Sequence, residues 1–357
     1  MKQGLSLVQM AQELERQRVT KRDFIADTRK ISFSDDMQNV SLLQNAGATV
    51  FGVNDYANKQ FAELMKVPVQ FYQRMQKDHP DLLSNTLNEL LKREPSRRMV
   101  RTLDSTVRAV VSDKFRAMDN FDLANAVLPV LGEIPDMRVE STQFSDTRFY
   151  IKAVFPKTEG EIKRGDVVQA GIVISNSEVG AGSLSVQPLV FRLVCLNGMI
   201  ASDFGQKRYH VGRRAAGDSE AAFELFSDRT KELDDAALWS KVQDTVRGVA
   251  KPEVFESIIN KLRETTQQPI EGAVEEVVKA TASRFGYSEA TQQGVLAHLI
   301  QGGDLSRWGL ANAITRQSQD EVSYDQATQM EADGGTLVEL PSKDWQSLLA
   351  KPIRKAA

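Results

Sequence analysis

The sequence is poor in cysteine, since Cys195 is the only one among its 357 residues. A single thiol cannot close an intramolecular disulfide or build a zinc site from several thiolates, which is typical of proteins in a reducing compartment. No stretch approaches the roughly 18 to 20 apolar residues of a membrane span, and the first residues lack the apolar core of a signal peptide. We therefore expect a cytoplasmic protein that does not enter a membrane.

The sequence also lacks a charge excess and recognisable catalytic motifs. Its 45 Lys and Arg against 48 Asp and Glu leave a net charge of -3, so attraction to nucleic acid would have to come from local clusters. It contains no Walker loop, dinucleotide fingerprint, nucleophile elbow or zinc motif. Adjacent carboxylates such as Asp234 and Asp235 point about 100° apart on a helix. We therefore predict no metal and no cofactor, and an enzyme is the less favoured class.

What is present is the composition of a folded globular chain, 41% hydrophobic and 26% charged. Helical spacing of apolar residues predicts a short helix near residues 6–18 and three helices between 54 and 94. We therefore expect residues 1–95 to form an N-terminal helical region. Within it, Ala62, Val67 and Tyr72 fall where a helix-turn-helix needs a small and two apolar residues, and Lys66 where its turn glycine usually sits. Plain helical hairpins share this pattern, and we prefer that interpretation.

The pattern changes to strands from Met99 onward. Alternating apolar residues predict strands in MVRTLD, TVRAVVS, RFYIKAVF, VVQAGIVIS and SLSVQPLVFRLVCL, interrupted by one helix, FDLANAVLPVLGEI. We expect residues 96–216 to form a sheet-rich core, 217–316 a helical region packed on it, and 317–357 an irregular tail. The sequence predicts an α+β fold with a central, mainly antiparallel sheet flanked by N-terminal and C-terminal helices.

Two segments are locally cationic: Lys92 to Arg116, and KRYHVGRR from Lys207 to Arg214. Cations that hold phosphates and rings that stack on bases are the means by which proteins bind single-stranded nucleic acid. Basic runs are also common as solvated surfaces paired with acidic helices, so both interpretations stay open. The candidate nucleic-acid contacts are Arg97, Arg98, Arg101, Arg108, Lys114, Arg116, Lys207, Arg208, Tyr209, Arg213 and Arg214.

One arginine stands inside the apolar run LVFRLVCL. If Leu184 to Leu196 is a strand, Arg192 lies on one face with Val190, and Cys195 on the other face packs as a small core residue. We expect Arg192 to be at least half buried, so its guanidinium needs carboxylates or carbonyls, and we favour a structural network over a ligand contact. The preceding EVGAGSL predicts a hairpin connection. His298 is expected to be structural.

The same run carries a resemblance. NSEVGAGSLSVQPLVFRLVCLNGMI resembles the signature of a phage- and plasmid-borne bacterial family, domain of unknown function 932. RAVVSDKFRAMDN and LSRWGLANAITRQSQD are similar to two further segments of it. The resemblance covers most of the chain after residue 100. It implies that the gene belongs to a mobile element and that the protein is made in a bacterial cytoplasm. It implies no role for any residue. The family-pattern positions are Asn176, Ser177, Arg192, Asn197, Gly198, Trp308, Asn312 and Thr315.

Three functions remain open. The first is a nucleic-acid-binding protein of mobile-element DNA metabolism, acting on single strands as recombination or annealing proteins do. The second is a non-enzymatic interaction protein, an anti-defence or assembly factor that binds a host or phage protein; a homo-oligomer is compatible with either. The third is an enzyme that uses Asn176, Arg192 and Asn197, which requires a pocket that gathers these side chains with a carboxylate.

Overall fold

The computed structural model describes residues 1–45, 47–115, 118–201, 209–210 and 228–349. These residues form an α+β fold with two sheets. The helices are α1 Leu7–Thr20, α2 Asp55–Leu64, α3 Val69–Asp78, α4 Pro80–Arg93, α5 Asn120–Gly132, α6 Asp228–Val249, α7 Pro252–Thr266, α8 Val274–Phe285, α9 Glu289–Gly302, α10 Arg307–Gln317, α11 Tyr324–Glu339 and α12 Ser342–Leu349. The strands are β1 Arg22–Asp27, β2 Ile31–Phe33, β3 Asn39–Gln44, β4 Gly47–Val53, β5 Arg97–Leu103, β6 Thr106–Ser112, β7 Arg138–Phe144, β8 Phe149–Glu161, β9 Val167–Asn176, β10 Ser185–Arg192, β11 Asn197–Ile200 and β12 Tyr209–His210.

The first sheet has the strand order β1-β5-β6-β4-β3-β2. All of its pairings are antiparallel except β4 with β6, and the chain between these two strands contains α2 to α4 and then β5. Helix α2 packs on β6 and α4 packs on β2. Phe61, Leu83, Leu87 and Leu91 from these helices form one apolar cluster with the strands. The first sheet therefore has a core of its own.

The second sheet is an antiparallel series, β11-β10-β9-β8-β7, with β12 added beside β10. The largest apolar cluster lies between this sheet and helices that include α5, α7 and α10. Helix α11 packs on β11, and a small third cluster includes Val154, Val173 and Leu189. The fully buried Lys152 on β8 lies 2.6 Å from Glu331 of α11. The second sheet is thus enclosed by helices.

Helix α1 belongs to the second sheet although it precedes the first in the chain. It packs on β7 and α5, with Met10 and Leu14 in the larger apolar cluster. Ser6 caps its first turn by accepting a hydrogen bond from the Gln9 backbone N–H. Immediately after α1 the chain enters β1 of the first sheet. In chain order, α1 packs on the second sheet, the strands of the first sheet follow, and the strands of the second sheet come last.

The α+β class and the mainly antiparallel pairing are confirmed, but three expectations are wrong. The described residues form two sheets rather than one, because residues 1–95 contain β1 to β4 besides helices. These strands are short, and only β1 and β4 pair with distant segments, β1 with β5 and β4 with β6. The tail contains α11 and α12. The strand expected over 184–196 ends at Arg192, and residues 193–196 form a turn.

Candidate functional site

The first basic segment divides into buried and exposed arginines. Arg101 is 1% exposed, and its guanidinium donates to Asp23 at 2.9 Å and to the Glu178 carbonyl at 2.5 Å. Arg108 is nine-tenths buried, with Nη2 2.6 Å from Glu178 Oε2. The prediction that these two side chains contact phosphates on the surface is wrong, because both are buried and each faces an internal carboxylate.

The other described cations of this segment lie at one end of the first sheet, all of them exposed except the half-buried Arg98. Arg97 is 71% exposed, and pairing of Arg98 with Ser112 brings Lys114 to the same end. The Thr28 backbone N–H donates to the Ser96 carbonyl at 2.9 Å, which adds the turn after β1. We call this set the cationic end: Arg29, Lys30, Lys92, Arg93, Arg97, Arg98 and Lys114.

The cationic end shows what sequence reasoning missed. Arg29 and Lys30 lie more than sixty residues before the basic segment, so no local pattern connected them to it. Carboxylates also lie here, since Asp27 pairs with Arg29 at 2.7 Å and Glu89 lies 3.4 Å from Lys92. These pairs lie at the surface, where an ion pair stabilises the fold little.

The second basic segment falls mostly outside the described residues. Arg116, Lys207, Arg208, Arg213 and Arg214 all lie outside them. For Tyr209 only the backbone is described, as part of β12, which pairs with Val186 and Ser185 at the start of β10.

The loop that precedes β10 contacts the first sheet near Lys114. A Cβ at Gly180 would lie 3.4 Å from Val111 and 3.8 Å from the Phe115 ring. Only four residues separate Gly180 from Ser185, where β12 pairs. The backbone of the second basic segment at residues 209–210 therefore lies toward the same end of the first sheet as Lys114.

Asn176, Ser177 and Glu178 form a polar junction between the sheets. Asn176 donates to the Met118 carbonyl at 2.7 Å and to the Asn120 side chain at 2.8 Å. Ser177 accepts from the Ala181 N–H and holds the hairpin loop, as expected for EVGAGSL. Glu178 accepts from the Asn120 N–H at 2.7 Å as well as facing Arg108. Sequence reasoning missed Glu178, because nothing local marks it as the partner of two distant arginines.

This junction opens into a cleft of about 330 Å³. Arg148 reaches over the loop, where its guanidinium donates to the Ala181 carbonyl at 3.0 Å. Nε of Arg108 has no hydrogen-bond partner among the residues that the structure describes. The wall includes Asn54, Arg108, Asn120, Phe144, Arg148 and Glu178. The cleft is polar and carries charges of both signs.

Arg192 is held in the structural network that the sequence predicts. It is 17% exposed, and Nε and Nη2 donate to the two oxygens of Asp166 at 2.5 and 3.0 Å. Trp308 Nε1 donates to the same carboxylate at 2.9 Å. Asp166, which is itself almost fully buried, therefore joins the sheet to α10.

The remaining family-pattern positions extend this network. Asn197 donates to Thr315 Oγ1 at 2.5 Å, and Asn312 donates to the Trp308 carbonyl at 2.8 Å. A Cβ at Gly198 would lie 2.9 Å from Leu189, so this strand approaches its neighbour closely. These contacts give the later family-pattern positions a structural role, since Arg192, Asn197, Trp308 and Thr315 connect the β10–β11 hairpin to α10.

A cavity of about 210 Å³ lies beside this network. Cys195, Arg192 and His298 all line it. Cys195 lies in the turn rather than on a strand face, and its Sγ is 3.4 Å from an Arg192 nitrogen, so its assignment to a strand core is wrong. His298 Nε2 lies 2.9 Å from Asp320. Among the described residues there is no cluster of three side chains suited to a metal ion.

The three residues proposed for an enzyme do not come together. Arg192 pairs with Val168 at the beginning of β9, whereas Asn176 is the last residue of the same strand. Eight residues of extended chain separate these ends by about 27 Å. A single pocket that contains Asn176, Arg192 and Asn197 is therefore not formed.

Comparison with protein families gives a match over the second sheet and most of its helices. The family model for domain of unknown function 932 matches residues 107–334, which is more than half of the chain. No curated protein and no solved structure matches the chain. None of the described helices has the length and apolar character needed to cross a bilayer.

Proposed function

The chain belongs to the family of domain of unknown function 932, and on that premise we propose that it binds nucleic acid, with a single strand as the favoured partner. In this proposal it acts in the DNA metabolism of a phage or plasmid, inside the bacterial host cytoplasm, without a cofactor. The cationic end and the basic residues around Tyr209 contact phosphates, and Tyr209 stacks on a base.

One observation carries the proposal. Pairing of β12 with β10, together with contact of Gly180 against Val111 and Phe115, brings backbone of the second basic segment toward Lys114. A strand of nucleic acid needs a continuous series of cations, because each neutralised phosphate releases bound counterions and adds to affinity. Two segments about a hundred residues apart in sequence can supply such a series only if they share one surface.

The proposal departs from the sequence expectation in its residues. Arg101 and Arg108 join the sheets and take no part in phosphate contact. Arg29 and Lys30 replace them at the exposed surface. Most of the cationic end precedes residue 107, so this activity rests partly on a region outside the family match.

The test is fluorescence anisotropy with labelled single- and double-stranded DNA and RNA at low and at physiological salt. We expect binding to single strands that weakens steeply with salt. The triple variant Arg97→Gln, Arg213→Ala, Arg214→Ala should bind more weakly and lower the slope of log affinity against log salt by about 2, at about 0.7 per phosphate contact.

The matched control is Arg138→Gln, an exposed arginine on β7 that pairs with Glu140. It should leave both affinity and slope unchanged. No binding at low salt, or a triple variant that behaves like this control, rejects the proposal. Capture of a host or phage protein that persists after nuclease treatment would then favour the interaction-protein hypothesis.

A further inference from the structure

The short connection between α2 and α3 has the geometry of a built turn. Lys66 adopts a left-handed backbone with φ of 55°. The Val67 N–H donates to the Ala62 carbonyl at 2.8 Å and the Lys66 N–H to the Glu63 carbonyl at 3.1 Å. These are the two bonds of a Schellman motif, which usually places glycine where Lys66 stands. Pro68 then precedes the first residue of α3, so the chain reverses from helix to helix within four residues.

The packing of the two helices places α3 outermost. Ala62 and Phe61 of α2 are fully buried and belong to the apolar cluster of the first sheet. Tyr72 is the single buried residue of α3, and its hydroxyl donates to Asn58 of α2 at 2.8 Å. Helix α3 packs against α2 and α4, while α2 and α4 contact the sheet. The helix is therefore held by its inner side and presents the rest to solvent.

The outer side of α3 carries side-chain types that can contact DNA bases. Gln70, Phe71, Gln73, Arg74 and Lys77 are exposed, and their spacing places them on one face of the helix. Helix α3 carries Arg74 and Lys77 against one carboxylate, Asp78 at its last position, and Lys66 in the preceding turn adds a third cation. Arg74 lies over the exposed Phe71 ring at 5.4 Å, so an aromatic ring and a guanidinium are presented together.

We infer that α2 and α3 form a helix-turn-helix whose second helix enters the major groove of double-stranded DNA. In that motif a buried small residue and a tight turn fix the first helix across the backbone, and exposed residues of the second helix contact base edges. Gln suits the paired donor and acceptor of adenine, and Arg suits the two acceptors of guanine. Gln70, Gln73 and Arg74 are the base-reading residues, and Lys66 and Lys77 contact phosphates.

This inference concerns a different surface and a different nucleic acid from the proposed function. The cationic end and Tyr209 are assigned to single strands, whereas α3 is assigned to duplex. Either can fail without the other, because no residue is shared between the two sets. A plain helical hairpin, in which the same face is only solvated, is the competing explanation.

The experiment is selection from a pool of random-sequence DNA duplexes by the full-length protein, followed by anisotropy on the enriched duplex. We expect one enriched sequence. The variant Gln73→Ala, Arg74→Ala should lose at least tenfold in affinity for that duplex and discriminate less against base changes, since each paired base contact gives about 5- to 150-fold discrimination. Both residues are exposed, so the variant should fold normally.

The matched control is Arg284→Ala with Gln293→Ala, exposed residues of α8 and α9, which should bind the duplex like the parent protein. Selection that enriches no sequence overturns the inference, and so does an enriched duplex that the α3 variant binds normally. Affinity for single strands distinguishes this inference from the proposed function. It should fall in the Arg97, Arg213 and Arg214 variant and remain unchanged in the α3 variant.

Discussion

At the scale of single residues, Asp166 is the side chain on which the family-pattern network depends. It is almost fully buried and accepts hydrogen bonds from both Arg192 and Trp308. A buried guanidinium keeps its charge only when a carboxylate and hydrogen bonds replace the lost water. The position of Arg192 in an apolar strand is therefore possible because of a residue that the sequence places 26 positions earlier.

We expect Asp166→Asn to destabilise the protein by about 3 kcal/mol, because it leaves the buried charge of Arg192 uncompensated. Urea unfolding followed by circular dichroism measures this difference. The control is Asp304→Asn, which removes the more exposed pair with Lys163 and should cost less than about 1 kcal/mol. Equal effects of the two substitutions would contradict the central place given to Asp166.

The buried pair of Lys152 and Glu331 gives a second prediction at this scale. Burial lowers the pKa of Lys152, although Glu331 at 2.6 Å opposes the effect and Thr328 accepts a further hydrogen bond at 2.9 Å. Lys152→Met alone should lower the free energy of unfolding by about 3 to 5 kcal/mol, because it leaves a buried carboxylate without its partner. Adding Glu331→Leu should restore most of that loss.

A double-mutant cycle in urea measures this coupling. If the double variant is as unstable as Lys152→Met alone, the instability comes from lost packing rather than from an unpaired charge.

At the scale of elements, close approach decides where helices can lie. A Cβ at Gly335 of α11 would be 1.9 Å from the Ile200 carbonyl oxygen of β11, so this helix touches the strand backbone. A Cβ at Gly248 of α6 would meet nothing within 4 Å. Packing therefore requires a glycine at position 335 and leaves room for a larger side chain at position 248.

We therefore predict opposite effects of the same substitution. Gly335→Ala should destabilise the protein by about 2 to 3 kcal/mol, because α11 must move away from β11. Gly248→Ala should stabilise it by about 0.5 to 1 kcal/mol, because alanine loses less backbone entropy in a helix. Thermal unfolding of the two variants beside the parent protein tests both signs.

The same elements show how far sequence reasoning reaches. The helices from α7 to α10 and the strands β5, β6, β8 and β9 follow from apolar periodicity, because each has a long patterned run. Strands β1 to β4 were missed, since they are short and two of them pair across more than fifty residues, β1 with β5 and β4 with β6. Arg192 was correctly placed in a network, but its partner Asp166 came only with the structure.

At the scale of the molecule, the two sheets have separate apolar cores and meet through polar contacts. Arg101 donates to the Glu178 carbonyl, Gln60 donates to the Val179 carbonyl at 2.9 Å, and Lys21 pairs with Asp119 at 2.7 Å.

The family match begins at residue 107, inside the first sheet, so the sequence boundary of the family does not follow the boundary between the sheets.

This arrangement predicts how the molecule unfolds when the junction is weakened. Arg101→Met removes several bridging bonds at once while leaving both apolar cores intact. All three tryptophans lie on helices that pack with the second sheet. We therefore expect tryptophan fluorescence and far-ultraviolet circular dichroism to report coincident urea transitions in the parent protein and separate transitions in this variant. Coincident transitions in both would show that the sheets are coupled by something other than these bonds.

The position of α1 has a consequence for synthesis. Its partners α5 and β7 end at residues 132 and 144, so more than a hundred residues must be translated after α1 before it can dock. At about 5 to 20 residues per second, the delay is on the order of ten seconds. During this interval the first sheet can assemble while Met10 and Leu14 lack the partners that bury them, so a nascent chain of this length exposes two apolar side chains to any chaperone at the tunnel exit.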